Sequence, residues 1–165
     1  MTLAEICVKP YVKTYLENKF GNPMCLPRKT LIGKYFYSLL EKSNERREKE
    51  CVEYKAKITI KITQDVFFRN GYILSQTSLR DFNFLVEQEI FGKLYNEIDK
   101  LISKNYLIKD AIYEALEIYH LPPECMSYES IRKNYYRQRL RSESSVNIHQ
   151  KGKRARVKTQ NVTHK

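Results

Sequence analysis

The sequence predicts a mainly α-helical fold of the α+β class: a helical body with a small β element, two C-terminal helices and a disordered basic tail. Apolar residues recur with helical spacing through most of the chain, and one segment alternates with the period of two that is typical of a strand. After residue 141 the periodicity stops, and small polar and basic residues predominate. We therefore divide the chain into a body (1–106), a two-helix unit (107–141) and a tail (142–165).

The first part of the body is expected to contain two helices. Residues 3–20 are predicted to form one helix that ends at Gly21, although Pro10, which is tolerated in a first turn, also allows a start at that residue. A second helix is expected after Thr30, whose hydroxyl can accept a hydrogen bond from an N–H of the first turn. The mostly charged residues 41–50 are expected to be a solvated end of that helix or a link.

The β element is predicted from residues 52–63, where apolar and polar side chains alternate strictly. A strand needs a partner for its backbone hydrogen bonds. Residues 72–74 could pair with it after a turn at Asn70-Gly71. Alternatively, residues 65–69 form a helical turn that Gly71 ends. The partner could also be the same strand of a second copy, or an earlier segment of the chain.

A long core helix is predicted from Ser75 to Lys104, where the 3–4 spacing of apolar residues continues for about seven turns. Ser75 or Ser78 can cap its start. This helix and the unpaired strand both offer self-association surfaces, and two-fold dimers are the commonest soluble oligomers. We therefore expect a homodimer.

The charge of the chain is concentrated at its C-terminal end. The formal net charge is +11, from 30 basic and 19 acidic side chains. Residues 1–131 hold 19 basic and 18 acidic side chains, whereas residues 132–165 hold 11 basic ones and a single acid, Glu143. Clustered cations raise the local concentration of phosphates, so this segregation predicts a site for a polyanion.

Two helices are predicted just before the tail. The first spans 107–120 and ends firmly because Pro122 and Pro123, in the turn over residues 121–126, cannot continue it. The second begins after Ser127, a favourable N-cap. Its anchoring face is formed by Tyr128, Ile131 and Tyr135.

This arrangement resembles the helix-turn-helix unit of DNA-binding proteins of bacteria, phages or mobile elements. The resemblance covers Leu107–Arg141, about a fifth of the chain. It implies that the second helix enters the major groove of DNA while the first braces it. The turn departs from the tight form of the motif, because it has six residues with two prolines and lacks the glycine often found there.

The candidate nucleic-acid-binding residues lie on the second helix and in the tail. Arginine and lysine can bond guanine or phosphate, asparagine can pair with an adenine edge, and tyrosine hydroxyls contact phosphates. The predicted set is Arg132, Lys133, Asn134, Tyr136, Arg137, Arg139 and Arg141 on the helix, and Lys151, Lys153, Arg154 and Arg156 in the tail.

The sequence contains no motif of a known catalytic class. Its five glycines are too far apart to cradle a phosphate, and no cysteine pair has the C-x-x-C spacing of a zinc module. No apolar run approaches the ~20 residues that cross a bilayer. Four cysteines without a secretory signal are typical of reduced thiols in the cytoplasm.

We therefore expect a non-enzymatic, cytoplasmic protein that binds double-stranded DNA and needs no cofactor or metal. It would act in transcription regulation or as an accessory factor of a bacterium, phage or mobile element. The alternative is an oligomeric interaction or structural protein whose basic tail binds RNA or another acidic partner.

Overall fold

The structure, a computed structural model, describes residues 2–42 and 54–141. The chain divides into two units, Met1–Met126 and Ser127–Lys165, so the boundary falls within the predicted two-helix unit. The first unit contains β1 (Thr2–Val8), α1 (Pro10–Phe20), α2 (Leu31–Ser38), β2 (Ala56–Ile62), α3 (Gln64–Asn70), α4 (Gln76–Ser103) and α5 (Ile108–Ile118). In the second unit, helix α6 spans residues 128–141. The mainly helical, α+β prediction is confirmed for the described residues; most of the segment 41–50 and the whole tail lie outside them.

The N-terminal segment forms strand β1, so the predicted helix over 3–20 is wrong before Pro10. Helix α1 begins at Pro10, as the alternative start allowed. Ala4, Ile6 and Val8 are buried with a period of two, because β1 packs one face against the core. In so short a segment, apolar residues at both odd and even positions fit the period of a helix and that of a strand equally well.

Strand β2 lies inside the segment predicted as a strand, and its partner is the earlier segment β1. The two strands are antiparallel, with Ile6 opposite Ile58. On the other edge of β2, the N–H of Met24 donates to the carbonyl of Thr59 at 2.8 Å, and the N–H of Lys61 donates to the carbonyl of Met24 at 2.8 Å. Both edges of β2 are therefore engaged by preceding parts of the chain.

A helix precedes Gly71, so pairing of residues 72–74 with β2 through an Asn70-Gly71 hairpin is wrong. Gly71 ends α3 with a φ of 93°, and its N–H donates to the carbonyl of Phe67 at 3.0 Å. A Cβ at Gly71 would lie 2.0 Å from the carbonyl oxygen of Glu41, so only glycine fits this turn. Ile73 pairs with Glu41 in an isolated bridge instead.

Helix α4 is the core of the first unit, as the spacing of its apolar residues predicts. The hydroxyl of Ser75 caps it by accepting from the N–H of Ser78 at 3.2 Å. Its buried face packs against β1, α1, α2 and α5. Thr30 likewise caps α2, because its hydroxyl accepts from the N–H of Gly33 at 3.1 Å. No helix in the described ranges is long and apolar enough to cross a membrane.

Charged and phenolic side chains line the contact between α1 and α4. We call this set the α1–α4 seam; it comprises Lys9, Tyr11, Tyr15, Lys19, Glu87, Glu89 and Lys93. Lys9 binds Glu87 at 2.6 Å, and the Tyr11 hydroxyl donates to the same carboxylate. Glu89 accepts from Tyr15 at 2.8 Å, pairs with Lys93 at 3.0 Å and binds Lys19. Each cation of the seam thus faces a carboxylate.

These contacts shift the pKa values in the seam. Burial raises the pKa of the Tyr15 hydroxyl to about 12. Burial also opposes ionisation of Glu89, but hydrogen bonds from Lys19, Tyr15 and Lys93 outweigh it and lower the pKa of the carboxyl. The seam therefore holds Glu89 as a carboxylate and Tyr15 as a neutral phenol near pH 7.

Candidate nucleic-acid interface

Helix α6 carries the predicted site residues that precede the tail. The helix begins where the sequence predicts. The hydroxyl of Ser127 accepts a hydrogen bond from the N–H of Ser130 at 3.3 Å, and its carbonyl accepts from the N–H of Ile131 at 3.1 Å. Ser127 therefore supplies an acceptor for an N–H that has no partner within the first turn. The helix continues to residue 141.

One face of α6 is anchored. Ile131 and Tyr135 are only 1% and 2% exposed, and Tyr128 is half-buried. These three residues follow the 3–4 spacing of one helical face, which is the anchoring face predicted from the sequence. Because that face is buried, the helical period fixes the directions in which the cations of α6 project towards solvent.

The cations of α6 lie on the exposed part of its surface in two rows. At about 100° per residue, Lys133, Arg137 and Arg141 form a row at i, i+4 and i+8, opposite the anchoring face. We call this the outer row; all three residues are exposed. Arg132 and Arg139 lie nearer the anchoring face, and both are exposed.

Arg132 differs from Lys133 and Arg137 in its local partners. Arg132 pairs with Glu129 at 3.3 Å, one turn earlier. Lys133 and Arg137 have no ion-pair partner among residues 2–42 and 54–141. Glu129 is the one acid of α6 against five cations, so the helix has a net charge of +4. Lys133 and Arg137 are thus available to an external anion.

The polar candidates Asn134 and Tyr136 flank the outer row. Asn134 is half-buried and lies about 60° around the helix from Arg137, so it sits between the outer row and the anchoring face. The ring of Tyr136 is 41% exposed and contacts the Tyr135 ring edge-on, with centroids 5.9 Å apart. This contact orients the ring of Tyr136, whose hydroxyl can donate to a phosphate.

Helix α5, the first helix of the predicted two-helix unit, has the opposite charge on its outer side. Its buried face, formed by Ala111, Ile112, Ala115 and Leu116, packs against α4 in the first unit. Asp110, Glu114 and Glu117 are exposed on the other face. Carboxylates repel phosphate, so this surface is unsuited to bracing a DNA backbone. The helix-turn-helix arrangement stays a prediction, because α5 and α6 belong to different units.

The remaining predicted site residues, Lys151, Lys153, Arg154 and Arg156, lie outside the described part of the chain. Within that part, no group of three His, Cys, Asp or Glu side chains is placed to hold a metal ion. Cys7, Cys25 and Cys125, the cysteines it includes, form no disulfide. No known protein family, curated protein or solved structure matches this chain.

Proposed function

We propose that this protein binds duplex DNA through α6 and acts by binding alone, as a regulatory or accessory factor. One observation carries the proposal: the outer row presents cations on a helix whose opposite face is buried, and its first two members, Lys133 and Arg137, have no carboxylate partner among the described residues. Such a helix can approach a polyanion without first breaking ion pairs at these two positions.

The dimensions of α6 suit a groove of DNA. A helix of this length is about 21 Å long, and the major groove of B-DNA admits an α-helix. Arginine presents a planar fork of N–H groups that matches the two acceptors of guanine or two phosphate oxygens. Arg137, at the centre of the outer row, is the residue best placed for such a contact.

Asn134 is the residue through which α6 would distinguish one DNA sequence from another. Its amide is uncharged, so it adds nothing to general attraction for phosphates. An amide beside the outer row can instead pair with the edge of adenine once the helix lies in the groove. Asn134 would therefore contribute to the choice of sequence, and the cations to affinity for any duplex.

The experiment compares two double variants that remove the same charge. Lys133→Ala/Arg137→Ala removes the first two cations of the outer row, and the control Lys100→Ala/Lys104→Ala removes two cations four residues apart at the end of α4. Duplex affinity is measured over a salt series. The α6 variant should flatten the log–log salt dependence by about 1.8, since each phosphate contact contributes about 0.9. The control should keep the slope of the unaltered protein.

Equal slopes for the two double variants would contradict the proposal, because net charge alone would then explain binding. The same series with an RNA duplex tests the choice of nucleic acid. The major groove of A-form RNA is too narrow for a helix, so α6 should bind the RNA duplex more weakly than DNA. Tighter binding to RNA would favour an RNA-binding protein instead.

A further inference from the structure

The exposed face of α3 places an aromatic ring between charged groups. Asp65, Phe68 and Arg69 occur at i, i+3 and i+4, so they lie on one face of the helix. That face is turned away from Val66, which is buried. The ring of Phe68 is 70% exposed, and the side chain of Arg69 is 75% exposed.

The Phe68 ring is presented by an ordered frame. It contacts Phe67 edge-on with centroids 5.6 Å apart, and Phe67 stacks on Tyr72 at 4.9 Å with the planes 14° apart. The end of α3 is tied to α2, because the amide of Asn70 donates to the carbonyl of Tyr37 at 3.0 Å. A ring supported in this way loses little conformational entropy when a flat group stacks on it.

Two arginines share the carboxylate of Asp65, which lies on the same face of α3 as this ring. Asp65 binds the Nε of Arg69 at 2.9 Å and an Nη of Arg28 at 3.3 Å. The guanidinium of Arg28 also lies over the Tyr37 ring, 5.7 Å from its centroid. One carboxylate cannot occupy the five N–H groups of each guanidinium, so both arginines keep donors for phosphate. Asp65 thus fixes their positions without neutralising the pair.

The surface around α2 and α3 carries an excess of cations. Residues 28–42 and 63–72 hold five cations and two acids, whereas residues 97–126, which include α5, hold three cations and six acids. We call the first pair of segments the α2–α3 surface. A polyanion is therefore attracted to the α2–α3 surface more than to the surface around α5.

We propose that the α2–α3 surface is a second nucleic-acid site, which binds a single strand by stacking a base on Phe68 and holding phosphates with Arg28 and Arg69. Sequence-tolerant binding of single strands combines an exposed aromatic ring with a basic surface in this way. A duplex does not fit this chemistry, because its bases are stacked on one another. The proposal is independent of α6, since other residues carry it.

The experiment uses the absence of tryptophan from the chain. Phe68→Trp places the sole tryptophan at the proposed site, and the matched control Phe84→Trp places it at another exposed phenylalanine, which is on α4 and 60% exposed. Both proteins are titrated with a deoxythymidine oligomer of about twelve nucleotides. Stacking of a base should quench the fluorescence of Phe68→Trp saturably and leave that of Phe84→Trp unchanged.

Affinity gives a second measurement. Phe68→Ala should weaken binding of the same oligomer by about fivefold to a hundredfold, the range for loss of one stacked base, and Phe84→Ala should leave it unchanged. Quenching of Phe68→Trp should persist when Lys133 and Arg137 are also changed to alanine, which separates this site from α6. Equal quenching at both tryptophans, no quenching at Phe68→Trp, or equal affinities of the two alanine variants would overturn the proposal.

Discussion

The cations of the α1–α4 seam and those of α6 are chemically alike but have opposite surroundings. In the seam, Lys9 binds Glu87, while Lys19 and Lys93 bind Glu89. In α6, Lys133 and Arg137 lie on the exposed side and have no ion-pair partner among the described residues. The seam cations therefore stabilise the fold, whereas those of α6 can bind an external anion.

This difference shows why charge composition alone does not locate a binding surface. Lys19 and Glu89 are 70 positions apart in the sequence and meet only because α1 packs against α4. A basic residue that folding leaves without a carboxylate partner can bind an external anion without first losing an ion pair. Helix α6 contains one acid, Glu129, which pairs with Arg132.

The largest expected loss of stability comes from removing a carboxylate of the α1–α4 seam. Glu89→Gln removes the carboxylate that Tyr15, Lys19 and Lys93 share, and it leaves two partly exposed ammonium groups without this counter-charge. We expect the free energy of unfolding to fall by about 2 kcal/mol, measured by urea denaturation, because three contacts to one partly buried carboxylate are lost and solvent screens the two lysines. Glu129→Gln in α6 should cost less than about 1 kcal/mol, because its pair with Arg132 is exposed. Similar losses would mean that the seam is no more important than a surface pair.

The Glu89→Gln variant also tests how the contribution of the seam to stability depends on pH. The pKa of Glu89 is lowered in the folded protein. The carboxylate therefore stabilises the fold above the ordinary glutamate pKa of about 4.3, and this contribution is lost as the pH falls through the lower folded value. The unaltered protein should lose more stability than Glu89→Gln between about pH 7 and about pH 3. Equal losses would contradict the assigned role of Glu89.

The contribution of Tyr15 to stability has the opposite pH dependence. Its pKa is raised to about 12, so the neutral hydroxyl stabilises the fold below its ordinary value of about 10. That contribution should disappear as the pH rises through about 12. Tyr15→Phe keeps the ring and removes the ionisable group, so its stability should change less over this alkaline range. Denaturation at about pH 8 and about pH 11 measures the difference.

On the α6 side, Asn134→Ala tests whether the exposed face reads sequence or only attracts phosphate. On a selected preferred duplex the change should cost about 1–3 kcal/mol of binding free energy, and on an unrelated duplex little. The control Arg141→Ala should weaken both duplexes about equally. Equal losses on both duplexes for Asn134→Ala would show that α6 does not read bases.

The sequence could predict the features whose causes are local. The alternation in β2 and the capping by Thr30, Ser75 and Ser127 depend on residues within a few positions of one another, and the structure confirms them. The anchoring face of α6 follows from helical spacing in the same way. Local pattern and tertiary burial agree in these segments.

The sequence could not predict features that depend on distant partners. The residues of β1 fit two periods, and only pairing with β2, about 50 positions later, decides between them. The seam joins side chains more than 70 positions apart, such as Tyr15 and Glu89. The exposed face of α3 could not be predicted, because the Asn70-Gly71 turn was compatible with a hairpin or a helix; in the structure residues 64–70 are helical, and Gly71 is required where the chain passes close to Glu41.

The smallest expected effect concerns the start of α6. Ser127→Ala removes the hydroxyl that accepts from the N–H of Ser130, which should cost about 1 kcal/mol of local stability. Thr30→Ala removes the equivalent cap of α2 and serves as the matched control. Hydrogen exchange at the Ser130 amide should accelerate about fivefold in Ser127→Ala, because that free energy corresponds to such a factor in the opening equilibrium.

This measurement also distinguishes a local cap from a change in the whole molecule. Because the two capped helices belong to different units, Thr30→Ala should leave exchange at Ser130 unchanged, and Ser127→Ala should leave exchange at Gly33 unchanged. If either change accelerated exchange at both amides, the helices would open together. The presentation of the outer row would then depend on the stability of the entire chain. Loss of DNA binding in an α6 variant would be assigned to Lys133 or Arg137 only after its free energy of unfolding had been measured.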